Sequence, residues 1–502
     1  MARKTQALCL LLCLCVLLTG CEENAAAPGP RVTLPPVRLS YAAPENDVNQ
    51  ERTQSVVLYL PSTDGTRLVA LPGTAKLSAS RSSAETLCQM LFSCRGDEQT
   101  TPLGDQTELR LSETEAVEVS GAVATVSLGA SALRLSHEQL FTVGQALANT
   151  LCQFGDVEYV NVLVNGVQPG LDVASTLPAG CFQPNVKEDL GTLWARASAR
   201  TQGRRALTAA LYYPAAGGRG ILCEARTLSF PDTEAATMIR TLLEALSAGA
   251  ETIPEAPRYP DLLPLLVEEP KITETAGARR AVLHFDEALN QLLIANGITR
   301  SMMAASLVYT VTTFVPALDG VEMVIGDETI TSVTPSGTCV HAGETIHFPS
   351  RLMRRGDFSV FLLAPCPLYF ADEKGVLCET VRYVPFYESC NARKIIDQLM
   401  IGPQNYDTVS KLSTVLPEGL RDADLIGVSL EKETLVLNFS SRLLSLSQGM
   451  SPEAERSMVY AVVNSLCRLQ GVKRVSFFIM GEQPETFAGA VFLPGDFLPT
   501  AL

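Results

Sequence analysis

The chain has 502 residues, of which 46% are hydrophobic and 19% are charged, and its formal net charge is −15 at pH 7. It is too apolar to be intrinsically disordered and too long for one hydrophobic core, so we expect several folded domains. The acidic balance argues against a nucleic-acid partner, because phosphate binding requires a basic surface.

The N-terminus has the pattern of an export signal. A basic start, Arg3-Lys4, precedes an apolar run from Ala7 to Leu18 that is too short to span a bilayer. The run ends in Leu18-Thr19-Gly20-Cys21, which looks like a bacterial lipobox, so residues 1–21 are predicted to be a lipoprotein signal peptide with palmitate among the acyl groups on Cys21. An ordinary signal peptide is the alternative, since the same run also holds Cys9, Cys13 and Cys15.

Three segments have the composition of connecting chain. Residues 22–54 are rich in proline and lack a sustained period, which predicts an extended tether. Two further loose segments, at about 168–205 and 329–355, are predicted to be linkers.

One block of sequence occurs three times, with a period of roughly 155 residues, which is too long for a solenoid unit and long enough for a domain. The openings are Leu58-Tyr59-Leu60, Leu211-Tyr212-Tyr213 and Leu368-Tyr369-Phe370, and the last strands begin at Val160, Val321 and Val475. Three tandem domains are therefore predicted, called repeats 1, 2 and 3 below, at residues 55–167, 206–328 and 357–482.

Periodicity within the repeats predicts their elements. Alternation in Val160–Val164 and in Val475–Ile479 indicates a final strand, and a capping-box pattern at Ser136 and a Ser451-Pro452 start indicate a long helix before it. An earlier helix is predicted at 84–92, 233–246 and 392–400, and further strands at 117–128, 282–285 and 425–439. Each repeat is predicted to follow the order ββαββαβ, giving an α+β fold of three small two-layer domains with helices on one face of a sheet.

These motifs resemble the GerMN domain family. The resemblance rests on the Leu-Tyr-Tyr or Leu-Tyr-Phe opening, the Leu222-Cys223-Glu224-Ala225-Arg226 element with its counterpart at Leu377-Cys378-Glu379 and Arg382, and the helix end from Leu399 to Gly402-Pro403. It covers about 55–166, 206–327 and 357–481. The resemblance implies a domain like the ring-building motif of secretion-system rings, in a lipoprotein of an endospore-forming bacterium that acts in sporulation or germination.

A search for catalytic or metal chemistry is mostly negative. His284 takes the position of Ser127 and Asn438 in the other repeats and is predicted to face solvent. His341 and His347, near Cys339 and Glu344, match no zinc-binding spacing, so a polar loop is expected there, with no metal or other cofactor and with folding that survives their replacement by Ala. No nucleophile elbow or phosphate-binding loop is present in a strand-to-helix turn, which argues against an enzyme.

The cysteines beyond Cys21 suit small buried apolar residues, and Cys152 with Cys467, and Cys223 with Cys378, are predicted to be equivalent pairs of positions. Cys88 and Cys152 are the pair nominated for a disulfide, because the two helices of a repeat are expected to pack side by side.

The sequence favours a non-catalytic scaffold, lipid-anchored on the extracytoplasmic face of the cell membrane, that assembles with itself or with other envelope proteins. No small-molecule substrate is expected on this hypothesis. A lipid-anchored ligand-binding lipoprotein is the alternative, and a cell-wall hydrolase is the third possibility considered.

Overall fold

Each repeat consists of a long hairpin, a short helix, a second hairpin, a long helix and a final strand. The computed structural model describes residues 52–77, 82–104, 108–114, 116–153, 157–199, 204–253 and 256–500. Within these residues, the five strands and the two main helices follow the order ββαββαβ in all three repeats, with additional short helices in repeats 2 and 3, so the predicted α+β fold class is confirmed.

Repeat 1 and the chain that follows it contain nine labelled elements. In order they are β1 (Arg52–Pro61), β2 (Leu68–Leu77), α1 (Ser83–Ser93), β3 (Val117–Ser120), β4 (Val123–Leu128), α2 (His137–Leu151), β5 (Tyr159–Val164), β6 (Cys181–Phe182) and α3 (Leu190–Ser198).

Repeat 2 adds a short helix before its long one. Its elements are β7 (Arg205–Pro214), β8 (Ile221–Phe230), α4 (Ala235–Ser247), β9 (Lys271–Thr275), β10 (Ala278–Phe285), α5 (Ala288–Ala295), α6 (Arg300–Phe314) and β11 (Gly320–Ile325), followed by β12 (Glu328–Thr329), β13 (Ser332–Val333) and β14 (Ile346–His347).

Repeat 3 follows a 3₁₀ segment at Arg355–Phe361. Its elements are β15 (Leu363–Ala371), β16 (Leu377–Pro385), α7 (Phe386–Ser389), α8 (Ala392–Ile401), β17 (Leu425–Glu431), β18 (Thr434–Phe439), α9 (Arg442–Ser447), α10 (Pro452–Leu466) and β19 (Arg474–Ile479).

The second hairpin and the final strand of each repeat form one mixed sheet. The hairpin is antiparallel, and its second strand pairs in parallel with the final strand, because the long helix makes the crossover between them. The register is the same in the three sheets, with the partners Val126 and Val162, Leu283 and Met323, and Leu437 and Phe477.

The long helices begin where their caps predict. The side chains of Ser136, Thr299 and Ser451 each accept a hydrogen bond from the backbone N–H three residues later, and Ser136 forms a complete capping box with Gln139. A Ser or Thr hydroxyl therefore fixes the start of the long helix in every repeat.

The chain after each final strand forms an additional edge of that repeat's sheet. Phe182 pairs with Val160, Met353 bridges to Val321, and Phe497 bridges to Val475. The prediction of loose linkers at 168–205 and 329–355 is therefore wrong, because these segments cover sheet edges that would otherwise leave backbone groups unpaired.

The buried residues of repeats 1 and 2 form one continuous hydrophobic core that runs from Val56 to Leu362. Repeat 3 has its own core, from Cys366 to Leu493. A small third cluster around Ala215, Leu222 and Leu363 lies between repeats 2 and 3. The described chain thus forms two bodies in contact, one made of repeats 1 and 2 and the other of repeat 3, and not three separate domains.

The long helix of repeat 2 is buried on every side. All residues of α6 from Ser301 to Phe314 are buried, whereas α2 and α10 keep exposed positions in their first turns. Among the described residues, no single helix has the length and apolar character to cross a membrane, although α5 and α6, bent by 102°, meet the length and composition test as a pair.

Candidate functional site

The predicted lipidation site Cys21, the signal peptide and most of the tether lie outside the described residues. The lipid anchor therefore stays a prediction from the sequence.

Cys88 and Cys152 are both free thiols in the structure. Cys88 lies on α1, and Cys152 directly follows α2. These two helices pack against each other. Burial raises the pKa of Cys88, and it raises the pKa of Cys152 to about 12, so neither thiol is activated at neutral pH. Their disulfide stays a prediction.

The register of the hairpins corrects one predicted pair of equivalent cysteines. Cys223 pairs with Tyr212 of the Leu-Tyr-Tyr opening, but Cys378 pairs with Phe370, one place further along. Since neighbouring strand residues face opposite sides, the two cysteines lie on opposite faces of their hairpins. Cys223 is buried and Cys378 is half-buried. Cys152 and Cys467 do take the same place, directly after the last residue of the long helix.

The same register explains the Leu-x-Glu-x-Arg element. Arg226 pairs with Ala209, and Arg382 pairs with Cys366. Each of these partners lies two places before the leucine that opens its motif, so the two arginines occupy equivalent positions in their hairpins. Arg226 donates to the carbonyls of Ala245 and Gly249, at 3.3 and 2.8 Å. Each arginine thus caps the C-terminal carbonyls of the first helix of its repeat.

In repeat 3 the equivalent arginine, Arg382, contacts both the helix end and a buried carboxylate. Arg382 donates to the carbonyls of Gln398 and Gly402, at 3.1 and 2.7 Å, and forms a two-bond ion pair with Asp407, at 2.8 and 2.7 Å. Both side chains are fully buried, so the pair is a structural element of the core.

A polar residue near the end of the central strand fixes the turn after the final strand. Ser127 Oγ and Asn438 Oδ1 accept hydrogen bonds from Gly166 N and Gly481 N, each at 2.9 Å. At the equivalent position, His284 Nε2 lies 2.9 Å from Gly326 O. The prediction that this position faces solvent is wrong, since Ser127 and Asn438 are buried and His284 is half-buried.

A hydroxyl of the long helix binds the opening motif in every repeat. The N–H groups of Tyr59, Tyr212 and Tyr369 donate to Thr150 Oγ1, Thr310 Oγ1 and Ser465 Oγ, at 3.2, 3.0 and 3.0 Å. This contact ties the long hairpin to the long helix, and sequence periodicity does not reveal it because hydroxyls are common on helices.

His341 lies in the turn between β13 and β14, and His347 is a residue of β14, so the segment predicted to be a polar loop contains a short strand pair. His341 Nδ1 is 3.1 Å from Glu344 Oε2, and Cys339 is buried, where desolvation raises its pKa to about 12. Among the described residues, no three His, Cys, Asp or Glu side chains are grouped so as to hold a metal ion.

A buried polar cluster joins repeats 1 and 2 to the segment that precedes repeat 3. Glu118 on β3 is ion-paired with Arg355 and accepts a hydrogen bond from the Tyr309 hydroxyl at 3.2 Å. The Arg355 guanidinium lies 4.1 Å from the centre of the Tyr309 ring and donates to Thr313 Oγ1. Glu118 and Arg355 are 8% and 4% exposed, so the charges are compensated within the protein. We call this group the junction cluster.

Strand β3 also places Ser120 between the other two repeats. Ser120 Oγ donates to Leu363 O at 2.9 Å and accepts from Cys223 N at 3.2 Å. At Gly121, where φ is 55°, an added Cβ would lie 2.1 Å from Cys223 O, so a side chain there would separate β3 from repeat 2. The sequence gives no sign of these contacts, which join residues more than a hundred positions apart.

A cleft of about 440 Å³ lies between repeats 1 and 3. Repeat 1 contributes the start of α1 and residues of β3, and repeat 3 contributes the edge of β15 and the chain after α10. Its lining surface is more apolar than polar, and Arg468 is the one charged residue among the described residues that line it. This cleft and the junction cluster are the sites that the sequence does not predict.

Comparison with known proteins gives a family for two of the repeats. The family model Germane, described by sporulation and spore germination, matches residues 57–169 and 367–485. The first and third repeats thus match the Germane model. The matched residues do not include repeat 2, whose long helix is buried on all sides and so lacks the amphipathic pattern of the two Germane repeats.

A search of solved structures finds two similar chains from one sporulation protein. The tandem GerMN domains of the sporulation protein GerM from Bacillus subtilis align at 16% identity over 60% of this chain and 99% of theirs, with a TM-score of 0.23. The first GerMN domain of that protein aligns at 17% identity over 27% of this chain and 96% of its own, with a TM-score of 0.19. No curated protein matches the chain.

Proposed function

We propose that this chain is a non-catalytic scaffold of the bacterial envelope that acts in sporulation or spore germination. The match of two repeats to the Germane model supports a role in sporulation or spore germination. The junction cluster supports the scaffold role, because it fixes repeat 1, repeat 2 and the segment that leads into repeat 3 in one arrangement, as a protein that positions other proteins requires.

The polar residues that recur among the repeats support a structural role. Each of them bonds to the backbone of its own repeat: Ser127 and Asn438 to a turn, Thr150 and Ser465 to the opening strand, and Arg226 and Arg382 to a helix end. The recurring motif residues thus have structural roles within their own repeats.

We further propose that Cys21 carries the lipid that tethers the scaffold to the extracytoplasmic face of the membrane. The test is fractionation of cells that express Cys21→Ala, with Cys15→Ala as the matched control from the same apolar run. Cys15→Ala should remain in the membrane fraction, and Cys21→Ala should lose acyl labelling and leave it. A Cys21→Ala protein that stays acylated contradicts the tether.

The scaffold role is tested by cross-linking in sporulating cells of the native organism, followed by mass spectrometry. We expect the full chain to be linked to other envelope proteins or to a second copy, and its deletion to lower the yield of heat-resistant spores. A chain that is recovered as an uncross-linked monomer, with normal spore yield, contradicts the proposal.

A further inference from the structure

We propose that the cleft between repeats 1 and 3 binds a small amphiphilic anion, with an apolar body against the aliphatic walls and a carboxylate at Arg468. This goes beyond the scaffold role. The volume, about 440 Å³, is in the range of small-molecule sites, which combine apolar walls with a few polar groups.

The apolar part of the cleft is contributed by both bodies. Val119 and Val157 from repeat 1 face the same space as Pro367, Phe386 and Leu469 from repeat 3. Apolar surface of this kind favours an occupant that removes it from water. An occupant would therefore contact both bodies at once.

The charge of Arg468 favours an occupant whose polar end is negative. The chain carries a net charge of −15, yet the charged residue that lines the cleft is a cation, Arg468. Its side chain is half-exposed at 51%, and its guanidinium is oriented by the Glu379 carboxylate and the Tyr369 hydroxyl while part of it stays accessible to solvent. A guanidinium presents a fork of donors that matches a carboxylate.

The strand that borders the cleft disfavours an extended peptide as the occupant. The N–H of Tyr369 points away from β16 and toward Ser465, so by strand alternation positions 367 and 365 face the same side. Both are prolines, which have no N–H to donate, and a peptide strand could not form a regular ladder there. A small molecule held by burial and charge fits this border better.

The test is calorimetric titration of the full-length chain carrying Cys21→Ala with decanoate, below its micelle concentration. Saturable binding of one decanoate is expected, and decanol, which has the same apolar body without the charge, should bind about tenfold more weakly. Equal affinity for decanol, or no saturable binding of decanoate, overturns the proposal.

Variants locate the site. Arg468→Gln should weaken decanoate roughly tenfold and Arg468→Lys should restore part of the loss. Arg474→Gln, a half-exposed arginine of the same repeat that does not line the cleft, should have no effect. Ser82→Trp should block the cleft, since Ser82 lines it and its side chain makes no capping bond. Unchanged binding in a folded Ser82→Trp protein contradicts the location.

A second measurement uses no variant of the cleft. Cys390 lines the cleft and Cys378 does not, and both are half-buried free thiols. Decanoate should slow the alkylation of Cys390 by iodoacetamide several-fold, with Cys378 unaffected, as followed by peptide mass spectrometry. Equal rates at Cys390 with and without decanoate contradict the proposal, even if the Ser82→Trp protein fails to fold.

Discussion

At the scale of single residues, the charges of this protein that matter most for folding are the buried ones. Glu118 and Arg355 are nearly inaccessible to solvent and face each other beside the Tyr309 ring. Removing one member of a buried pair leaves an uncompensated charge in a medium of low polarity, whereas removing both does not.

We therefore expect Arg355→Met to lower the free energy of unfolding of repeats 1 and 2 by about 3–5 kcal/mol. The double variant Glu118→Leu, Arg355→Met should recover most of that loss. The measurement is urea unfolding, with Arg110→Met as a control, because Arg110 pairs with Glu108 at the surface and should leave the midpoint unchanged. A double variant as unstable as the single one contradicts an uncompensated charge as the cause.

Asp397 is expected to make the stability of repeat 3 depend on pH. Burial and the nearby Asp422 carboxylate raise the pKa of Asp397 to about 7, against the opposing charges of Lys394 and Arg393. Because the folded-state pKa lies above the unfolded one, the protonated form favours folding, and this contribution is lost as pH rises from about 4 through about 7.

Asp397→Asn should therefore melt at a higher temperature than the wild type at pH 8 and at nearly the same temperature at pH 4. Thermal melts at pH 4, 6 and 8 measure this, with the exposed Glu373→Gln as a control that should follow the wild type throughout. A constant difference at all three pH values would show a packing effect and not a titration.

At the scale of elements, the contact between the opening hairpin and the long helix is the recurring feature. In repeat 3, Ser465 Oγ accepts the Tyr369 N–H in a fully buried position. Ala at 465 would leave that donor without its partner, which costs about 1–3 kcal/mol.

Ser465→Ala is thus expected to destabilise repeat 3 by about that amount, and Ser465→Thr to be tolerated, since Thr150 and Thr310 make the same contact in the other repeats. Ser457→Ala on the same helix is the control, because the Ser457 hydroxyl bonds only at the surface, to Gly375 O at 3.3 Å. Chemical denaturation of the three variants decides the matter. Equal losses for Ser457→Ala and Ser465→Ala would contradict the role of the contact.

The elements also show what could be predicted from the sequence. The element order, the caps at Ser136 and Ser451 and the first helices are confirmed within two residues, because they follow from periodicity and from local hydrogen bonding. The edge strand Cys181–Phe182 is too short to have a period, so its segment was predicted to be a loose linker. The shift between Cys223 and Cys378 depends on the length of a hairpin loop, which motif alignment does not detect.

The sites were harder to predict than the fold. The alternation of Val117-Glu118-Val119-Ser120 predicts a strand, but nothing local shows that Glu118 pairs with a residue 237 positions away. Likewise, the cleft at Arg468 exists only because repeats 1 and 3 meet. Contacts between repeats are set by tertiary packing, which a one-dimensional pattern does not contain.

At the scale of the whole molecule, the repeats differ in how they are buried. Repeats 1 and 2 share a core, and α6 of repeat 2 is enclosed by it. Repeat 3 has a separate core that extends beyond the predicted end at residue 482, since Phe487 and Phe497 pack on Phe477 with ring centres 5.6 Å apart. The buried Glu455 carboxylate also accepts the N–H groups of residues 487, 488 and 490.

The shared core determines which fragments of the chain we expect to fold alone. We expect the fragment 362–502 to unfold cooperatively by itself, and the fragment 362–482 to be much less stable, because it lacks Phe487, Leu493 and Phe497 and leaves the Glu455 carboxylate buried without its donors. The fragment 52–361 should fold as one unit, whereas 204–361 should not, because separation from repeat 1 exposes α6 and leaves Arg355 without Glu118. Circular dichroism and urea unfolding of the four fragments test this. A cooperative transition in 204–361 would mean that repeats 1 and 2 are autonomous domains that only touch at the shared core. A 362–482 fragment as stable as 362–502 would mean that residues 483–502 pack on repeat 3 without adding to its stability.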